Sequence, residues 1–164
     1  MEDKNRIILF RVLASVIDSA IIAAFHFISS YFIYIGSDWF TIIQDIFMTA
    51  YYIYFHAKFG QTPGKMILSI KVVDYKSGSA LSLKQAVLRY SIWMGIILLE
   101  YVLRFTFGYD EYEGWITALP GLFALIVLLS IFSDDKGRGI HDKIAGTITK
   151  DVHSRKSTVD SASL

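Results

Sequence analysis

Residues 11–29 read RVLASVIDSAIIAAFHFIS, a long apolar stretch into which polar side chains return at regular intervals. The polar residues of this stripe are Arg11, Ser15, Asp18, Ser19, His26 and Ser29. At about 100° per residue, these positions share roughly 100° of arc on one face of a helix. Charge at membrane depth is costly and is usually kept only where it faces a bundle interior or a water-filled cavity. The stretch therefore predicts a membrane-spanning helix with a polar inner face.

Apolar stretches of this kind recur along the chain, and they predict four spans at about residues 7–35, 39–57, 86–107 and 115–133. A helix needs roughly 20 mostly apolar residues to cross about 30 Å of hydrocarbon. Only 19% of the residues are charged, whereas a soluble domain usually carries about 25%. We therefore predict an all-α fold, a polytopic membrane protein with four transmembrane helices and a small cytoplasmic element between the second and the third.

The domain organisation follows from the same pattern. Residues 1–150 are predicted to form a single membrane domain, and the polar residues 151–164 a disordered cytoplasmic tail. The first span has the position of a signal peptide, but it is too long for one and contains Asp18 and His26. We expect it to be retained.

Basic residues cluster on alternate connections of the chain. Lys and Arg precede the first span, fill the connection between the second and third, and follow the fourth, whereas the connection after the third span carries Asp110, Glu111 and Glu113. Cytoplasmic loops of membrane proteins carry an excess of Lys and Arg. We therefore expect a multi-pass protein of the cell membrane whose two termini and central loop are cytoplasmic.

Several ionisable side chains inside the predicted spans are candidates for an ion or proton pathway. Asp18 is either a site for a cation or a proton, or a structural acid neutralised by a basic residue of another helix. Asp45 and His26 are groups that form proton relays, although a buried histidine is often simply hydrogen-bonded in a core. Glu100 lies four residues before Arg104, so the two can pair on one helix face.

The polar connections contain structural signals. Residues 60–65 form a turn cluster with Gly and Pro, and the alternation over 67–74 suggests a short strand. Residues 65–80 are compatible with a β-hairpin or an interfacial helix, and a small amphipathic element on the membrane surface is the favoured interpretation. Ser82 and Gln85 have the spacing of a capping box that opens the third span. Glycines around His141 and Asp142 permit a close approach that would fold this segment under the cytoplasmic mouth.

Catalytic and metal sites are not indicated by the sequence. The chain has no cysteine, no two histidines at i,i+3 or i,i+4 spacing, no Walker pattern and no nucleophile elbow. We expect no enzyme activity, no bound metal or cofactor and no nucleic-acid partner.

Four pieces of sequence, taken in order, resemble the RDD family of small bacterial and archaeal membrane proteins, named for one arginine and two aspartates. The pieces are Arg11-x-x-Ala14-x-x-x-Asp18, residues 60–65 (GQTPGK) leading into 70–74 (IKVVD), Gly78 followed by Leu81, Ser82 and Arg89, and residues 141–147 (HDKIAGT). The resemblance implies that Arg11 and Asp18 match the first two signature residues and Asp142 the second aspartate. Gly64, Lys65 and His141 belong to the neighbouring motifs. It also implies transport, because some members are described as cation/proton antiporters.

These observations lead to one functional hypothesis and two alternatives. The first is a membrane transporter that exchanges a monovalent cation for protons, with Asp18 as the ion-binding site, Arg11 tuning it, and Asp45, His26 and Glu100 completing the polar path. Because four short helices are few for alternating access, we expect a homo-oligomer in the lipid bilayer. The alternatives are a membrane adaptor that recruits a partner through its cytoplasmic loop and tail, and a protein that binds lipid or small molecules near the inner leaflet.

Overall fold

Long helices form over all four apolar stretches of the sequence. The computed structural model describes residues 4–32, 38–107 and 113–152. In this part of the chain the elements follow the order α1 (Lys4–Phe32), α2 (Asp38–Phe59), α3 (Pro63–Ile67), β1 (Ile70–Asp74), α4 (Leu83–Phe107), α5 (Glu113–Ser133), α6 (Ile140–Ala145) and β2 (Thr147–Asp151). Residues 33–35 of the first predicted span lie outside the described residues. The prediction of a mostly helical fold is confirmed.

Two of these helices are long and apolar enough to cross a membrane, α1 over Lys4–Ser29 and α4 over Leu83–Phe107. An apolar stretch in α5, Ala118–Ser133, is shorter. Large apolar side chains face outward from α1 and α4, with Phe27 76% exposed and Phe105 94% exposed. A soluble protein rarely exposes contiguous apolar surface, whereas a lipid-facing helix does. The long helices therefore indicate a membrane protein.

The start of α4 confirms the capping box predicted from Ser82 and Gln85. The backbone N–H of Gln85 donates to Ser82 Oγ at 3.2 Å, and the backbone N–H of Ser82 donates to Gln85 Oε1 at 3.1 Å. The box satisfies a donor that a helix leaves free at its N-terminus. Gln85 Nε2 also donates to Asp74 Oδ2 at 2.6 Å, which ties the start of α4 to the end of β1.

The prediction of an all-α fold is wrong in one respect, because β1 and β2 form a two-stranded antiparallel sheet. Val72 lies opposite Thr149 in this ladder, and Ile70, Val72, Thr147 and Thr149 are buried. The strand predicted within residues 67–74 is thus present, in place of the favoured surface element. Its partner strand escapes prediction because the short polar sequence TITKD has no strong apolar alternation.

The strand β2 also shortens the predicted tail. Asp151 ends this strand and pairs with Arg6 of α1, with 3.2 Å between Arg6 Nη2 and Asp151 Oδ2. The disordered tail predicted for residues 151–164 is therefore wrong at Asp151, and residues 153–164 lie outside the described residues. Both strands contact α1, so the C-terminal part of the described chain packs beside its N-terminal part.

The short helix α3 lies very close to α1. A β-carbon built on Gly64 would lie 2.3 Å from the carbonyl oxygen of Ala14 and 3.0 Å from Oδ1 of Asp18. Ala14 itself is fully buried. Because only glycine lacks a β-carbon, Gly64 decides how near the segment after α2 comes to Asp18.

Replacing Gly64 with alanine should destabilise the protein by about 1–3 kcal/mol, because the added methyl group forces α3 away from α1. Thermal unfolding of the purified protein in detergent measures the change. Gly95→Ala is the matched control, since a β-carbon at Gly95 in α4 would have no neighbour within 4 Å. A Gly64→Ala protein that unfolds at the parent temperature would contradict this packing.

Candidate functional site

The short helix α6 holds one carboxylate in a fixed position. Gly139 precedes this helix, and its N–H donates to Asp142 Oδ2 at 3.0 Å. Gly146 ends the helix in the left-handed region with a φ of 64°, which favours glycine. Asp142 is fully buried between these two turns. The glycines noted in the sequence therefore position an acid at the cytoplasmic end predicted for the bundle.

Two arginines from different helices converge on Asp142. Arg11 Nη2 of α1 donates to Oδ2 at 2.6 Å, and Arg89 Nη1 of α4 donates to Oδ1. Thr147 Oγ1 donates to Oδ1 at 3.2 Å, and Gly139 supplies the second bond to Oδ2. A carboxylate accepts about four hydrogen bonds, so Asp142 is saturated. Burial alone would raise the pKa of Asp142, but Arg89 and Arg11 hold it well below its usual range.

His141 lies between the same two guanidinium groups. Its Nε2 is 3.3 Å from Arg11 Nη2 and 3.0 Å from Arg89 Nη2. A guanidinium only donates hydrogen bonds, so Nε2 accepts and the ring proton of a neutral His141 resides on Nδ1. Burial and the charge of Arg89 hold the pKa of His141 well below its usual range. The ring is therefore a fixed neutral acceptor.

The first signature aspartate has a different environment. Thr62 Oγ1 donates to Asp18 Oδ2 at 2.5 Å, and the N–H of Gly64 donates to Oδ1 at 2.8 Å. Asp18 therefore binds the start of α3. In the structural alternative of the sequence analysis, a basic residue of another helix neutralises Asp18. The described hydrogen bonds to Asp18 come from Thr62 and Gly64 instead. Arg11, expected to tune Asp18, directs its described side-chain bonds to Asp142, His141 and the carbonyl oxygen of Gly137.

A lysine and a histidine form the next pair. Nδ1 of His56 is 2.8 Å from the carbonyl oxygen of Tyr52 and therefore donates to it. This leaves Nε2 of His56 as an acceptor, 3.1 Å from Lys65 Nζ. Burial, followed by the positive charges of Arg89 and Arg11, lowers the pKa of Lys65 to about 7. Lys65 is thus a group outside the long helices that exchanges a proton near neutral pH.

These side chains share a cavity of about 590 Å³ between the helices. Its acidic and basic side chains are Arg11, Asp18, His56, Lys65, Arg89 and His141, and the tyrosines Tyr52 and Tyr90 also line it. An apolar wall lies beside them, formed by residues that include Val12, Val16, Trp93, Ala124 and Leu128. Within the described residues, no group of three His, Asp or Glu side chains is placed to hold a metal ion. Because one side of the cavity is charged and the other is apolar, the site can bind a molecule that has both a charged group and an apolar part.

The structure places three sequence-based candidates away from this cavity. Asp45 accepts a hydrogen bond of 2.7 Å from Tyr101 Oη. Glu100 pairs with Arg104 at 2.8 Å, which confirms the pairing predicted on one face of α4. His26 is partly buried in α1. None of the three is among the residues that line the cavity in the described part of the chain.

Four residues of the site are absent from the sequence-based candidates, namely His56, Thr62, Arg89 and Thr147. Arg89 carries two signals, because it lies in an apolar stretch and falls in one of the pieces that resemble the RDD family. Thr62 and Thr147 fall in the family-like pieces at residues 60–65 and 141–147, but threonines in turns and short strands are common and uncharged, so neither stands out as a site residue.

Asp142→Asn should cost about 3 kcal/mol or more, because two buried guanidinium groups would lose the anion that they share. The midpoint of thermal unfolding in detergent measures this loss. Asp135→Asn, which removes an exposed acid nearby, is the control. Adding Arg11→Gln to the Asp142→Asn protein should restore part of the stability, since it removes one unpaired charge. An Asp142→Asn protein as stable as the parent would refute the role given to this carboxylate.

A family model matches the part of the chain that contains this cluster. The model of the RDD family matches residues 8–146, a range that includes Arg11, Asp18 and Asp142. No curated protein and no solved structure matches the chain. The match covers most of the sequence, and the chain belongs to the RDD family.

Proposed function

We propose that this protein is a transporter of the cell membrane that exchanges a monovalent cation for protons. One observation carries the proposal, namely that Asp18 and Lys65 line the same cavity. A carboxylate can hold a cation there, and beside it an amine can release a proton near neutral pH. The two groups come from α1 and α3, which pack directly together.

The proposed membrane topology uses four helices, α1, α2, α4 and α5. They contain 29, 22, 25 and 21 residues. At about 1.5 Å per residue, each is long enough for about 30 Å of hydrocarbon. Lys4 Nζ at the start of α1 donates to the carbonyl oxygen of Phe132 near the end of α5 at 3.2 Å, so these helix ends share one side. The many Lys and Arg residues near these ends favour the cytoplasm for that side.

Asp18 is suited to a cation because its carboxylate is only partly used. It receives two described hydrogen bonds, from Thr62 and Gly64, whereas a carboxylate accepts about four. Ser15 and Ser19, which carry hydroxyl groups, line the same cavity. Oxygen ligands of these kinds suit hard cations. Asp18 is therefore the cation site of the proposal.

Lys65 is suited to the proton because its environment opposes its charge. The groups that face it are Arg11 and Asp18 of α1, His56 of α2, Arg89 of α4, and His141 and Asp142 of α6. Since its pKa is lowered to about 7, Lys65 holds its proton below that pH and releases it above. A cation bound to Asp18 would weaken the attraction that raises the pKa of Lys65. Cation and proton then oppose each other's binding to the same extent, which is the coupling that antiport requires.

The assembly and the adaptor alternative follow from the same geometry. One protomer with four spans offers few helices for alternating access, so the proposed unit is a homo-oligomer.

An adaptor would use residues 60–80 to recruit a partner. Thr62 and Gly64 of that segment bind Asp18, and its Ile70 and Val72 are fully buried. Deleting the segment would disrupt the site in either case, whereas Asp18→Asn, which keeps the shape of the side chain, should remove transport and leave recruitment of a partner intact.

Asp18→Asn should abolish exchange while preserving the fold. The amide is nearly isosteric, and its oxygen can still accept from the N–H of Gly64, but the charge that attracts a cation is gone. Purified protein in proteoliposomes with a preset pH gradient is challenged with Na⁺, K⁺ or Li⁺, and a pH-sensitive dye reports proton movement. Asp135→Asn is the control, and it should exchange at the parent rate. Undiminished exchange by Asp18→Asn would remove this mechanism.

Lys65→Arg should abolish proton-coupled exchange near neutral pH. The rate of exchange by the parent protein should have the midpoint of its pH dependence near pH 7, because Lys65 is protonated below that value and deprotonated above it. An arginine stays charged throughout this range, so the variant should lose proton coupling between about pH 6 and 8. The exposed residue Lys84 supplies the control variant Lys84→Arg. The proposal fails at this step if Lys65→Arg keeps the parent pH profile.

A further inference from the structure

The cavity has more room and more apolar surface than a small cation requires. Its volume of about 590 Å³ lies in the range of sites that hold organic ligands. Val12 and Val16 of α1 face it together with Ala124 and Leu128 of α5. Such a wall would contribute nothing to the binding of a hydrated ion. The cavity therefore fits a second occupant with an apolar part.

The polar side of the cavity has an excess of positive charge. Arg11, Lys65 and Arg89 line it, and Asp142, which pairs with both arginines, has no lone pair left for Lys65. Asp18 is the other carboxylate beside these groups in the described part of the chain, so two acids face three basic side chains. A buried charge without a counterion is costly. An anionic occupant would balance the excess positive charge on this side of the cavity.

The apolar wall is open on its outer side. Val16 is 61% exposed, and Ala124, across the cavity on α5, is also exposed. Both helices are proposed spans, so the opening between them would face acyl chains. An occupant can therefore enter from the bilayer with its apolar part still in contact with lipid.

We propose that this cavity binds an anionic phospholipid, with its phosphate at Arg11, Lys65 and Arg89 and an acyl chain along Val16, Ala124 and Leu128. Guanidinium groups suit phosphate because they donate hydrogen bonds in a planar fork. The inference rests on the proposed position of these helices in the membrane. It does not depend on cation exchange.

The test measures lipid retention by the full-length protein. Protein purified in a mild detergent is mixed with palmitoyl-oleoyl phosphatidylglycerol, with phosphatidylcholine of the same chains, or with inorganic phosphate. Native mass spectrometry counts the lipids retained, and thermal unfolding measures stabilisation. Phosphatidylglycerol should be retained and should raise the unfolding temperature, whereas phosphatidylcholine and phosphate should do neither.

Two variants separate the charged side of the cavity from its apolar side. Lys65→Met should weaken phosphatidylglycerol binding about tenfold, because it removes one charge-assisted hydrogen bond, and Lys84→Met should not. Ala124→Trp should fill the apolar wall and abolish retention without altering any charge. Leu122→Trp, on an exposed position of α5 that does not line the cavity, should retain the lipid.

The outcomes test the lipid site separately from the antiport proposal. Equal retention of the two phospholipids, or parent-like retention by Ala124→Trp, would overturn the lipid site. Stabilisation by inorganic phosphate equal to that by phosphatidylglycerol would also overturn it, in favour of a free anion. Selective retention by a protein that shows no exchange would leave this inference standing and remove only the antiport proposal.

Discussion

The carboxylate of Asp142, shared by two guanidinium groups, is the interaction on which the rest of this structure depends. Arg11 brings α1 to it and Arg89 brings α4, while Asp142 itself sits on α6. A buried charge is tolerated when it is paired and fully hydrogen-bonded, and Asp142 meets that condition. One anion does not balance two cations, however. Burial first, and then this remaining positive charge, lowers the pKa of His141 and of Lys65, so the same cluster both joins the helices and contributes to the electrostatics of the cavity.

Much of the fold could be predicted because its signals are local. Hydropathy locates the long helices, since each apolar stretch becomes one, and the spacing of Ser82 and Gln85 locates the start of α4. The two-stranded sheet could be predicted only in half. The apolar residues of β1 identify a strand, but β2 is short, polar and far along the chain, and it resembles the start of a tail. Pairing between distant segments leaves no periodicity in either one.

For the residues of the candidate site, the sequence predicts which side of a helix each one faces. It does not predict which residues they bind. A charge inside an apolar stretch indicates that Arg11 and Asp18 face inward, and both do. Their common face on α1 suggests that they interact, whereas the described bonds of Arg11 lead to α6 and those of Asp18 lead to α3 and the turn before it. The same reasoning groups Asp45 with the site, although its described hydrogen bond is with Tyr101 of α4. Helical spacing determines which side a residue faces, and the neighbour on that side depends on how the helices assemble.

Arg11 and Asp142 are separated by 131 residues, so the first helix is synthesised long before the anion that it needs. The partner of Asp18 is synthesised sooner, because Thr62 follows Asp18 by 44 residues. During synthesis on the ribosome, Arg11 therefore stays unmatched until Asp142 has emerged. A copy truncated before α6 would keep that unmatched cation in an inserted helix, where it is energetically costly. The order of synthesis therefore makes copies that end before Asp142 chemically different from copies that contain it.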